Sequence, residues 1–244
     1  MAEIEEWFGT VCNIYKQILL TEKPVIAALN GVAAGGGFQI ALVSDQRVAH
    51  PGIKMGQPEI NAGIPSIMGS YWMSLHLGWS KNQELSMTGR LLEAKEAKSL
   101  GLINHLVARD QVVSKAYEVA RSFSEKPSVA WKRTKARFRE IALSGFDEAF
   151  RAGVLGQQEA YAKGEPQAVI DAFLGKKKTN NTNVSRTRID PGFVVRGISR
   201  ALSPGSAAGE RVSVIGKALI QARFAHREEF LAPPQSQCIA VKRQ

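Results

Sequence analysis

Between residues 4 and 20 the apolar positions Trp7, Val11, Ile14, Tyr15, Ile18 and Leu19 recur at helical spacing, which predicts an amphipathic helix ending before Pro24. A short apolar run at 25–29 then reads as a strand, and Gly31, Gly35, Gly36 and Gly37 break it with a turn. An apolar helix over 38–43 follows, then strands over 45–50 and 53–55, so helix and strand alternate as crossovers of a parallel α/β layer. The stretch 24–43 is 20 residues long and mostly apolar, but Pro24, Asn30, Gln39 and four glycines interrupt it and favour a buried α/β element over a membrane span. Downstream the pattern predicts helices over 67–78, 81–87 and 94–100 and a strand over 102–107, with Thr88-Gly89-Arg90 as a turn. Four more helices are expected over 112–123, 128–143, 146–163 and 166–174. From Thr179 onward Asn, Ser, Thr, Arg, Pro and Gly rise, and helical periodicity is weak except near 212–224.

Strand, glycine turn and helix in that order form a backbone device. Glycines lacking Cβ atoms let a ligand approach the main chain, and the N–H groups opening the next helix have no intrahelical partners. Such groups, at the positive end of a helix dipole, suit a carbonyl oxygen that is becoming an anion. A carboxylate, Glu59, arrives 22 residues after Gly37, with Pro58 fixing the backbone before it. The glycines do not fit a phosphate loop: no Lys-Ser/Thr follows them and the spacing is not G-x-G-x-x-G. Triple glycines also serve plain turns, and glutamates are mostly solvated, so the residues alone leave both readings open.

PVIAALNGVAAGGGFQIAL, SDQRVAH, GQPEINAGIPSIMG and TGRLLEAKEAKSLGLINHLV, in that order and spacing, resemble the enoyl-CoA hydratase/isomerase (crotonase) superfamily as far as about Lys178. The resemblance implies an α/β, crotonase-like (ClpP/crotonase) fold with a parallel-sheet core of repeated ββα units and a trailing helical domain. It divides the chain into a partial core over 1–110, a helical domain over 111–178 and an extension over 179–244. It implies that Gly36, the middle glycine, gives one of two backbone N–H groups to a thioester oxygen, flanked by Gly35 and Gly37. Hydratases of this family carry two glutamates; the second falls on Glu59, whereas the first position is Gln39. Pro65, Ile67 and Met68 are expected beside the acyl group, and Met68-Gly69 stands where a Gly-Gly pair is common. The loop supplying the second oxyanion donor belongs upstream, where only 22 residues precede Lys23, so an N-terminally truncated member is expected.

An amide cannot accept and return a proton at neutral pH, so Gln39 disfavours two-carboxylate hydration. One shuttling base suffices to move a double bond, which leaves 3-enoyl/2-enoyl-CoA isomerisation, or hydration with Glu59 serving both steps. A catalytically inactive acyl-CoA-binding or assembly homologue is the alternative. The resemblance implies no cofactor beyond the coenzyme A of the substrate, and a homotrimer or dimer of trimers.

The net charge of +10 changes this picture little: +6 of it falls on residues 180–244. Trp131 to Arg139 places five basic residues on one helix, which reads as a charged solvent face and, lacking an aromatic stacking platform, argues against a nucleic-acid partner. Cys12 and Cys238 provide no disulfide framework, and the acidic MAEIEEWF start has no secretory pattern, so a reducing, cytoplasmic setting is expected. His76 and His105 lack neighbours at metal-ligand spacing, which predicts no metal site.

Overall fold

The computed structural model describes residues 2–173. Helix α1 (Ala2–Leu20) buries Phe8, Cys12 and Tyr15, so its most enclosed stripe lies one residue away from the Trp7/Val11/Ile14 stripe that periodicity picks out, and those three border it. Strand β1 (Ile26–Leu29) runs parallel to β3 (Gln46–Ala49), which pairs with β6 (His105–Leu106). Alternation along β1 sends Ile26 and Ala28 to one face, where α6 (Val112–Ser124) covers them with Val112, Ala116 and Val119. Leu29 and Ala49 join the larger core on the other face.

A second sheet has the order β2 (Ala33–Ala34), β4 (Lys54–Gly56), β5 (Leu91–Glu93). The β2–β4 pair is parallel and the β4–β5 pair antiparallel, so the sheet elements are mostly parallel with one reversed edge. The apolar stretch 24–43 divides into β1, β2 and α2 (Gly36–Val43), and no helix among the described residues is long and apolar enough to cross a membrane.

The expected helix over 67–78 is split. Helix α3 (Ile67–Ser74) stops where the amides of His76 and Leu77 both turn back to the carbonyl of Met73. Extended Gly78 then starts α4 (Trp79–Thr88) two residues ahead of the predicted position. The strand expected over 102–107 pairs only at His105 and Leu106, because the Leu102 amide closes α5 (Ala94–Ser99) by bonding Ala97. Helices α7 (Ser128–Leu143), α8 (Phe146–Lys163) and α9 (Glu165–Phe173) follow the predicted spans closely. The extension over 179–244, Cys238 and the expected periodicity near 212–224 lie outside the described residues.

Two polar anchors fix α2 in this frame. Arg47 is buried, donating from Nε to Leu102 O at 2.8 Å and from Nη1 to Ser44 O at 3.0 Å and Ala41 O at 3.3 Å, which satisfies carbonyls at the end of α2. Just beyond, Asp45 Oδ2 accepts from Val25 N at 2.7 Å and from Lys135 Nζ at 2.6 Å, tying α7 to the sheet. One of the five basic residues on α7 is thus a structural anchor, and Arg137 pairs with Glu140 on the same helix.

Candidate active site at the opening of helix α2

Gly35 has φ +58°, and its N–H donates to Gly56 O at 3.0 Å across the β2–β4 pair. The first intrahelical bond of α2 runs from Gln39 N to Gly35 O at 2.9 Å. The N–H groups of Gly36 and Gly37 precede it and have no acceptor within the helix, so they form the positive end of α2.

Glu59 reaches this end from the opposite side. Pro58 and Glu59 enter a 3-10 turn (Glu59–Ala62) that closes through Ile64 N to Glu59 O at 3.0 Å, with Gly63 at φ +70°. Asn61 Nδ2 bonds Gly89 O at 3.0 Å and pins the turn to the end of α4. The side chain then lies over Gly35: a Cβ placed on that glycine would fall 2.8 Å from Glu59 Oε1.

The carboxylate is partly desolvated. Oε1 accepts from Gln39 Nε2 at 3.3 Å, whereas Oε2 is buried and has no hydrogen-bond partner among the described residues. Burial pushes the carboxyl pKa up to about 7, against the opposing hydrogen bonds from its own backbone, Gln57 and Gln39. A carboxyl poised there exchanges protons readily near neutrality.

Gln39 is buried, and its Nε2 also donates to Gln57 Oε1 at 3.3 Å. The neighbouring carboxylate fixes the NH₂ end of Gln39 toward Glu59 and leaves its carbonyl oxygen as the acceptor end. Gln57 is itself enclosed, and its amide occupies the space above Gly69: a Cβ on Gly69 would fall 2.0 Å from Gln57 Cδ. The Gly69 of Met68-Gly69 is therefore required by Gln57, a residue that sequence reasoning passed over although it stands within the GQPE motif.

The structure thus brings Gly35, Gly36, Gly37, Gln39 and Glu59 together. Pro65, Ile67 and Met68 lie at the start of α3, where that helix packs on α8. Pro65 and Ile67 lie against Gly156, at 3.2 and 3.8 Å from its Cβ position, and Met68 is buried beside Gly153. Trp72 and Met73 are likewise core residues, while Leu75 is 40% exposed. His76 Nε2 meets Leu42 O at 2.9 Å and His105 Nε2 meets Gln46 Oε1 at 3.0 Å, so both histidines have protein partners. Among the described residues no cluster of three His, Cys, Asp or Glu side chains could hold a metal.

A family model described as enoyl-CoA hydratase/isomerase matches residues 5–183. A short-chain-enoyl-CoA hydratase of Clostridium acetobutylicum is 33% identical over 175 residues, covering 70% of this chain and 66% of that protein. A crotonyl-CoA hydratase of Syntrophomonas wolfei is 31% identical over 179 residues, covering 73% of this chain and 69% of that protein. The chain therefore spans about two thirds of the length of these relatives. Among solved structures, ThnE from S. clavuligerus superposes with a TM-score of 0.61 at 27% identity, covering 64% of this chain and 75% of that one. Motif order, site geometry and these likenesses agree: the chain belongs to the enoyl-CoA hydratase/isomerase family.

Proposed function

We propose that the chain is a crotonase-like acyl-CoA enzyme, an enoyl-CoA hydratase or a 3-enoyl/2-enoyl-CoA isomerase. The observation that carries this reading is Glu59, whose half-desolvated carboxylate lies over Gly35 at the opening of α2. The thioester oxygen takes the Gly36 N–H, which stabilises the enolate as a proton leaves the adjacent carbon or as water adds; one such donor is worth about 3–4 kcal/mol. Glu59 removes and returns that proton. Gln39 holds Glu59 through Nε2 and offers its carbonyl oxygen to a water or a substrate hydroxyl. Pro65 and Ile67, half-buried at the start of α3, border the acyl group, with Met68 as floor behind them. The chemistry draws on no cofactor beyond coenzyme A, and the family resemblance supports assembly as a homotrimer or dimer of trimers.

A second reading rests on Gln39: with one carboxylate where hydratases have two, the site would bind an acyl-CoA without turning it over. Incubation of the chain with a short 3-enoyl-CoA, followed by chromatography and mass spectrometry of the thioester, separates the readings. A same-mass 2-enoyl isomer or a product one water heavier supports the enzyme, and unchanged but bound thioester supports the binding protein.

A further inference from the structure

Tyr15 is a polar group for which the chemistry above has no use. Its ring is 2% exposed and stands edge-on to Trp72, with centroids 5.9 Å apart at 78°, so packing fixes the direction of the phenol. The hydroxyl ends at the oxyanion glycine: a Cβ placed on Gly36 would lie 3.5 Å from Tyr15 Oη. Two adjacent glycines therefore carry the two side-chain groups, Glu59 Oε1 over Gly35 and Tyr15 Oη over Gly36. Burial raises the phenol pKa well above its ordinary value, with Cys12 and Glu59 adding to the effect, so the hydroxyl keeps its proton and remains a donor throughout the neutral range. A side chain serving only as apolar filling in this cluster would need no hydroxyl, and phenol O–H groups are established donors to developing oxyanions.

We propose that Tyr15 Oη donates a hydrogen bond to the same thioester oxygen that Gly36 N–H holds, making Tyr15 a catalytic residue supplied by α1. The inference rests on the acyl-CoA reading of the site. No covalent bond to the phenol forms or breaks: its proton stays on Oη, and the hydrogen bond tightens as charge gathers on the thioester oxygen when the neighbouring proton passes to Glu59.

The test uses an aryl-acryloyl-CoA, whose absorption band moves to the red when its carbonyl is polarised. It is bound to the wild-type chain, to Tyr15→Phe, and to a chain with 3,5-difluorotyrosine at position 15. Wild type is expected to shift the band, Tyr15→Phe to bind with similar affinity but a clearly smaller shift, and the fluorinated phenol, a stronger donor, to shift it further. Turnover of a 3-enoyl-CoA should fall about 10²-fold in Tyr15→Phe. A full red shift in Tyr15→Phe, or no response to fluorination, overturns this inference while leaving the acyl-CoA reading intact. Failure of the wild-type chain to bind the probe overturns both. If Tyr15→Phe does not fold, the fluorinated chain still decides, because it changes acidity with little change in shape.

Discussion

Glu59 occupies the space that a side chain on Gly35 would fill, its Oε1 only 2.8 Å from the position of a Cβ there. Gly35 also sits at φ +58°, ψ −127°, a conformation that L side chains adopt rarely. One glycine thus meets two demands: it turns the chain from β2 into α2 and makes room for the carboxylate.

Replacing Gly35 by Ala should therefore act on both fold and chemistry. Backbone strain is expected to cost about 1–3 kcal/mol, read as a lower melting temperature. Displacement of Glu59 should reduce turnover on the order of 10²-fold, the scale expected for a misplacement of about 1 Å. A stable variant with unchanged turnover would separate Gly35 from the chemistry.

Gln39→Glu places a second carboxyl against Glu59 in place of the amide now donating at 3.3 Å. Hydration of a 2-enoyl-CoA should rise, since the second position could then accept and return a proton. The like charge should also push the apparent pKa of the pair above the present value of about 7 for Glu59. The pH profile of hydration, measured for both proteins, reads the two effects together.

The raised Glu59 pKa also predicts a pH dependence of stability. The folded carboxyl titrates near 7 and the unfolded one near 4.5, so between these values the folded state binds more protons. Stability from this group is therefore full below pH 4.5 and declines as pH rises toward 7, by about 3 kcal/mol. Glu59→Gln should flatten that decline in a denaturation series across pH 4.5 to 7. Activity should move the opposite way, rising through pH 7 as the base ionises. A Glu59→Gln variant with the wild-type slope would place the titration elsewhere.

Gly69→Ala tests the support behind the site. Its Cβ would fall 2.0 Å from Gln57 Cδ, in a region where Gln57 is 1% exposed and has no room to withdraw. Overpacking of this kind costs about 1–3 kcal/mol. The melting temperature should drop, and turnover should fall as Gln57 pushes on Gln39. Restored melting and turnover in the double variant Gly69→Ala, Gln57→Ser would confirm that the clash is the cause.

Much of this arrangement is legible in the sequence. The glycine turn, the apolar helix behind it and the Pro-Glu pair are local patterns, and α7 and α8 show long unbroken periodicity. Strands β2 and β5 were not legible, because two or three residues carry no alternation and exist only through pairing with β4. Tyr15 read as one apolar position among several on α1. Its approach to Gly36 arises when α1 packs on α2, a tertiary event with no local signal. Gln57 was hidden for a similar reason, since its burial depends on a glycine twelve residues on in α3. Pro65, Ile67 and Met68 show the converse, an apolar run whose contacts with α8 no sequence pattern could assign.

Proton exchange tests the role of Glu59 most directly. A butyryl-CoA or 3-enoyl-CoA thioester is incubated with the chain in D₂O, and deuterium at the carbon next to the thioester is followed by mass spectrometry. With Glu59 as the base and Gly36 holding the oxygen, wild type should incorporate deuterium, at a rate rising through pH 7, and Glu59→Gln should fall to the uncatalysed rate. Equal incorporation by wild type and Glu59→Gln would show that another group moves the proton.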